Sequence, residues 1–390
     1  MAFPSILSNI NWTAGLQSLG SFEWPKTTSP TKRETAPNGS TILWVIQDTY
    51  EGSTFFDTFD FFTGPDPTNG MVTFVDQQTA MNDNLAYVTS DNKVIMRGDN
   101  TTQLAYGVNR NSVRIKSQAQ YNMGLFILDL EMAPWGCGVW PAFWQVLMLR
   151  RKARTVGNGP WPYTGEIDII EGVHDNQHNQ VTWHTAPGCN LTQNTSFTGT
   201  IVQTNYTDNL QCDAFINNNA GCGVLEWSHA SYGPLFDEAN GGVFAMNWDE
   251  NGIAVWSFYR ATIPLDITQG EPNPSNWGEP VAALSTQSCN ITNYFANHSI
   301  IFDITFCGDW AGNSYNTSNC PGTCESQLMD PANFVNASWI INSLSVYKQS
   351  WLDLTGTSNA ARTDSIIMNL KMISWIISTA IFLQVVLVSL

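Results

Sequence analysis

Three carboxylates within six residues define the chemistry to be explained. Gly165-Glu166-Ile167-Asp168-Ile169-Ile170-Glu171-Gly172 alternates β-branched residues with acids, the pattern of a strand. Side chains along a strand alternate faces, so Glu166 and Asp168 share one face, about 6.6 Å apart along the backbone. Strict alternation sends Glu171 to the opposite face. One β-bulge near Ile169 or Ile170 adds a residue and returns it, so a bulge is expected. Three acids crowded on one face hold their protons more tightly, and at least one pKa rises. Cleavage of a glycosidic bond with retention needs one ionised nucleophile and one protonated acid, their carboxyls ~5–5.5 Å apart. Glu166 and Glu171 can supply that pair, with Asp168 hydrogen-bonding the nucleophile and tuning both. Composition alone gives about 0.02 matches to E-x-D-x-x-E. The bland alternatives are a calcium site and a solvated polar strand, and a flat row of acids is a poor calcium cage.

Aromatic residues flank these acids. Trp140-Pro-Ala-Phe-Trp144 precedes them, Trp161-Pro162 lies just before Glu166, and Trp183-His184 follows. The chain has 16 Trp, each a flat apolar face with a hydrogen-bonding edge, which suits sugar rings. A core role is at least as good a reading for Trp144 and Trp183. Trp161, in the Gly/Pro loop from Gly157 to Thr164, is the better platform.

The elements that must hold these residues are strands. Short apolar or alternating runs punctuated by Gly, Pro, Asn and Asp occur at Val72–Val75, Val94–Met96, Val113–Lys116, Leu125–Leu130, Phe143–Leu149, Ile167–Ile170, Val181–His184, Ile300–Phe306 and Trp339–Tyr347. Val243–Trp248 and Ile253–Tyr259 flank Asp249-Glu250-Asn251-Gly252, a hairpin signal. Before the C-terminal tail no long stretch has helical periodicity. An all-β, two-sheet sandwich is expected, as one domain over residues 41–350. Residues 1–40, rich in Thr, Ser and Pro toward their end, read as a disordered leading segment. His174 and His178 lack the helical H-E-x-x-H setting of a zinc site, and Gly157-Asn158-Gly159 lacks the context of a nucleotide loop. The chemistry requires no metal or cofactor, although the sequence leaves a structural calcium open.

The chain of 390 residues carries a net charge of −17. So acidic a surface repels phosphate backbones and argues against nucleic acid as a partner. Eight Cys fit an exported, disulfide-bonded protein. Cys212/Cys222, Cys289/Cys307 and Cys320/Cys324 are neighbours in sequence, a weak guide among 105 pairings. Ten sequons, at Asn11, Asn38, Asn100, Asn190, Asn194, Asn205, Asn290, Asn297, Asn316 and Asn336, agree with export. Met372–Leu390 is an uncharged apolar tail behind a polar spacer, Arg362–Lys371, and the small residues of Gly356–Ala361. Residues 351–371 thus read as a linker carrying a GPI ω site at Asn359 or Ser358, and 372–390 as the attachment signal in preference to a retained membrane helix. These signals imply the outer cell surface or wall; a monomer anchored to the membrane through GPI is expected. Met1–Gly20 lacks the charged n-region and apolar h-region of a signal peptide, at odds with that route.

The chain resembles glycoside hydrolase family 16, in its fungal laminarinase-like branch. The likeness runs over most of residues 44–347 and rests on Phe55-Phe56-Asp57 with Phe61–Pro67, Ser112–Ser117, Gly138–Trp144, Gly165–Gly172, His184-Thr185 with Gly188-Cys189, Gly241–Met246 and Thr305–Gly312. It implies a jelly roll with a concave glucan cleft and retaining endo-hydrolysis of β-1,3- or mixed β-1,3/1,4-glucan. It also implies Glu166 as nucleophile, Glu171 as acid/base and Asp168 as assisting acid. Trp161 and Trp310 are implied as sugar platforms and His184 as a polar cleft contact, beside the flanking Trp144. Departures are His174, where the family suggests Asn, Asn247, where relatives often carry Glu, and the basic insert Arg150–Arg154; these bear on subsites rather than chemistry. A wall-remodelling transglycosylase would share the whole site, and a silent glucan-binding surface protein would share the fold.

Overall fold

Two eight-stranded antiparallel sheets pack face to face, as the alternating runs require. The computed structural model describes residues 41–147, 161–193 and 196–352. The leading segment, the basic insert, the ω site and the apolar tail lie outside the described residues.

One sheet, the outer one, runs in the order Ala282–Ser285, Gly252–Tyr259, Gly242–Asp249, Gly124–Met132, Ser338–Leu352, Val94–Arg97 and Ala86–Val88, with Thr41–Glu51 also pairing with Ser338–Leu352. The other, the inner one, runs Thr200–Ile201, Cys222–Leu225, Gln180–His184, Glu166–Glu171, Val139–Val146, Ser299–Phe306, Arg114–Ser117 and Phe59–Phe61. The acidic strand is thus interior to its sheet, paired on both edges. A small parallel pair, Val72–Phe74 with Arg110–Ser112, lies outside both sheets. The hairpin at Asp249-Glu250-Asn251-Gly252 closes with Asp249 opposite Gly252, as its Asn-Gly signal requires. The longest α-helix among the described residues has six residues, Gln77–Asn82.

The core lies between the sheets. Ile167, Ile170, Phe143 and Phe302 enter it from the inner sheet, and Phe126, Leu128, Phe244, Met246, Trp339 and Leu344 from the outer sheet, all buried. Phe302 stacks on Phe143 at 4.6 Å and meets Trp339 edge-on at 5.6 Å. Truncating such a ring to Ala costs about 3–5 kcal/mol. A second cluster, with Leu125, Ile127, Val243, Ala245 and Trp277, covers the far face of the outer sheet. This explains why Leu125–Leu128 reads as a continuous apolar run, since that part of the strand is buried on both faces.

The disulfides correct the sequence-neighbour expectation. The bonds are Cys137–Cys320, Cys189–Cys289, Cys212–Cys222 and Cys307–Cys324. Cys212/Cys222 forms as expected; Cys289/Cys307 and Cys320/Cys324 do not. The sandwich brings together loops 100 and 183 residues apart, and that proximity decides the pairing in place of spacing.

Candidate active site

The acidic strand carries the expected bulge, at Ile169. Against Val139–Val146 the register runs Glu166 opposite Val146 and Asp168 opposite Trp144, then resumes with Ile170 opposite Phe143 and Glu171 opposite Ala142. Ile169 is the inserted residue. It restores Glu171 to the side of Glu166 and Asp168, while Ile167, Ile169 and Ile170 stay in the core. Gly165 sets the start of the strand at φ +70°, where a Cβ would run into the Phe295 ring and the Tyr294 carbonyl.

Each Glu carboxylate accepts one indole N–H. Trp161 Nε1 donates to Glu166 Oε2 at 3.0 Å, and Trp140 Nε1 donates to Glu171 Oε1 at 2.9 Å. Trp161 is 39% exposed, with ring surface free for a ligand. Trp310, half-buried in the turn Gly308–Gly312, meets Trp140 edge-on at 5.9 Å. Trp310 is therefore joined to Glu171 through Trp140. His184, the cross-strand neighbour of Glu166, places Nε2 3.4 Å from Asp168 Oδ2, while its Nδ1 hydrogen-bonds Asn219 Oδ1 at 2.9 Å.

Trp144 sits differently from the open platforms. Its N–H reaches Asp303 Oδ2 at 3.2 Å, and the Arg114 guanidinium lies 4.9 Å from its ring centre, covering one face. Arg114 also pairs with Asp303 at 3.6 Å. Trp183 is fully buried on the core side. The histidines set aside as zinc ligands are engaged elsewhere. His174 Nδ1 accepts from the Gly138 N–H and its Nε2 meets Ser314 Oγ at 3.0 Å; His178 Nδ1 meets the Glu226 carbonyl.

Trp140, Asp303 and Arg114 escaped the sequence reading as site residues. Alternation carried the signal for the first, because Trp140, Ala142 and Trp144 share a strand face. Asp303 and Arg114 lie on two other strands, and only the sheet order brings them together.

Burial and the shared charge of Asp168 raise both glutamates, and one further charge differs at each. Burial, and then the charge of Asp168, push the Glu166 carboxyl up to about 8; His184 and Arg114 pull it down. Glu171 also rises to about 8, through burial and Asp168, with the Trp140 hydrogen bond and His184 pulling down and Asp303 pushing up. Asp168 is held well above the carboxylate range by burial first and Asp303 second. A protonated Asp168 relieves both neighbours of its charge. Of the charges that differ between the two, the Arg114 guanidinium favours ionisation at Glu166 and the Asp303 anion favours the proton at Glu171. Glu166, Asp168 and His184 bring ligand atoms within 4.8 Å of one another, the one such triple among the described residues. Two carboxylates and an imidazole fall short of the six to eight oxygens that calcium takes.

A family profile described as the XgeA-like, catalytic GH16 domain matches residues 59–347. A "Probable glycosidase" of Schizosaccharomyces pombe is 43% identical over 81% of this chain and 72% of its own length. An endo-1,3(4)-beta-glucanase of Emericella nidulans is 36% identical over 81% of this chain and 49% of its own length. The chain thus spans about half the length of that longer relative. Laminarinase 16A from Phanerochaete chrysosporium, solved with β-glucans in both donor and acceptor sites, aligns at 39% identity over 78% of this chain and 99% of that one, with a TM-score of 0.71. A solved elongating family 16 β-1,3-glucosyltransferase aligns at 36% identity over 78% of this chain and 100% of that one, with a TM-score of 0.70. On the match over residues 59–347 and on these identities, the chain belongs to glycoside hydrolase family 16, in its XgeA-like catalytic branch.

Proposed function

We propose that this protein is a retaining endo-hydrolase of β-1,3- or mixed β-1,3/1,4-glucan. The observation that carries the reading is the bulge at Ile169, which sets two glutamates on one face with a buried aspartate between them. Glu166 attacks the anomeric carbon, and Glu171 gives its proton to the departing glycosidic oxygen. The C–O bond to the leaving sugar breaks as the ester to Glu166 forms. Glu171, now ionised, takes a proton from water, whose oxygen displaces Glu166 and restores the β configuration. Asp168 donates to Glu166 while the latter is charged. Trp161 on the nucleophile side and Trp310 on the acid side offer faces for sugars, and His184 a polar contact. The endo-1,3(4)-beta-glucanase relatives support the substrate class.

Transfer to a sugar hydroxyl in place of water uses the same residues, and the glucosyltransferase neighbour favours keeping this second reading. Four disulfides joining all eight cysteines support an oxidising, exported location. Laminarin, lichenan and cellulose are the test substrates, with sizing of products and NMR of the new anomeric centre. Shortened chains with β-anomers are expected from the first two. Chains longer than the input would establish transfer, and α-anomers or no new ends would overturn the mechanism.

A further inference from the structure

The bulge leaves backbone groups to be satisfied on its second flank. Against Gln180–His184 the ladder runs from Glu166 opposite His184 to Asp168 opposite Thr182 and stops. Beyond it, the Ile169 carbonyl and the Glu171 N–H have no strand partner on that side, and buried backbone groups need one. One side chain takes both. Asn179 Oδ1 accepts from the Glu171 N–H at 3.0 Å, and Asn179 Nδ2 donates to the Ile169 carbonyl at 2.9 Å. The two backbone groups fix which way the amide points, because a donor must face the carbonyl and an acceptor the N–H.

The second Nδ2 hydrogen is used as well. It goes to Glu226 Oε1 at 3.0 Å, and Glu226 Oε2 accepts from Ser257 Oγ at 2.5 Å. The Asn179 main chain is tied on both sides, its N–H to Ser231 Oγ at 2.9 Å and its carbonyl to the Glu226 N–H at 2.9 Å. Asn179 and Glu226 are 0% and 1% exposed. Two bonds of the amide thus hold the backbone at Ile169 and Glu171, and the third braces the amide against Glu226. Aspartate at 179 could not donate to Ile169, and a shorter side chain could not span the bulge.

We propose that Asn179, braced by Glu226, is the positioning residue that sets where the Glu171 carboxyl stands relative to Glu166. The inference rests on Glu171 being the acid/base. It places the effect in proton donation to the leaving group rather than in glucan binding.

Two substrates separate these roles. Laminarin needs the leaving oxygen protonated, whereas a dinitrophenyl β-laminaribioside carries a leaving group that departs without help. Its kcat/KM reports the attack of Glu166 alone. A displacement of about 1 Å lowers a rate by ~10²-fold, so N179A is expected to lose about that much kcat/KM on laminarin. On the aryl substrate it should stay within about threefold, with the alkaline limb of its laminarin pH profile displaced. E226A should show the same pattern at about tenfold, and E226Q, which keeps an oxygen facing Asn179, should return to within about twofold of the parent. E171Q run alongside tests the underlying assignment; if it spares laminarin turnover, that reading fails, whatever the other variants do. With E171Q behaving as expected, equal losses on both substrates with an unmoved pH profile would overturn the positioning role. So would E226Q as damaged as E226A, or collapse of both N179A and E226A in circular dichroism, since the network would then hold the fold and not the acid.

Discussion

The two ends of one six-residue strand hold their glutamates by different means. Glu166 sits in a regular ladder, opposite Val146 on one side and His184 on the other. Glu171 lies past the bulge, opposite Ala142 on one side and held by the Asn179 side chain on the other. At the first end the indole partner comes from an exposed loop, Trp161; at the second it comes from the neighbouring strand, Trp140. The lesson is that alternation places the first glutamate, whereas an irregularity has to place the second. A regular strand would have sent Glu171 into the core.

The largest expected effect separates the ends by chemistry. E166Q removes the proposed nucleophile and should lower kcat by ~10⁴-fold or more on both laminarin and an activated aryl glycoside. E171Q should cripple laminarin to a similar degree while sparing the kcat/KM of the aryl glycoside. Equal behaviour of the two variants on both substrates would erase the division of labour.

Next comes the residue between them. D168N should cost about 10²-fold in kcat and move both limbs of the pH–rate profile, because Asp168 neighbours both glutamates. A profile with one limb moved would tie Asp168 to a single end. The indoles give smaller, opposed effects. W161F removes a donor from Glu166 and should raise the acidic limb, whereas W140F removes one from Glu171 and should raise the alkaline limb, each with about a fivefold to tenfold loss of kcat. Movement of the same limb in both would contradict the assignment.

The smallest effect is on stability. The Glu171 carboxyl, which carries the proton, is raised to about 8 in the folded chain against an ordinary 4.5, so the native state keeps a proton that the unfolded state releases. Stability therefore falls as pH rises from about 4.5 toward 8. E171Q should raise Tm by about 2 °C at pH 8 and leave it unchanged at pH 4, read by calorimetry. A gain of the same size at both values would point to packing instead of charge.

Much of this was legible in the residues. Alternation gave the acidic strand, and its failure at Glu171 demanded the bulge that the register shows at Ile169. Asn-Gly gave the hairpin. The edge and short strands Thr41–Glu51, Ala86–Val88 and Cys222–Leu225 were not read, because they lack strong alternation or length. Three of the four disulfides, the Arg114–Asp303 pair and the Asn179 brace are contacts between segments distant in sequence or in loops. They follow from strand order, which local pattern does not contain. Trp140 was within reach, since it shares a face with Trp144 two positions beyond Ala142.

The division between the glutamates is tested most directly by trapping the intermediate. Incubation with 2-deoxy-2-fluoro-β-laminaribiosyl fluoride, followed by peptide mass spectrometry, should find the sugar esterified to Glu166, with E171Q labelled at the same residue. A label on Glu171, or turnover to α-anomers with no ester, would contradict the account.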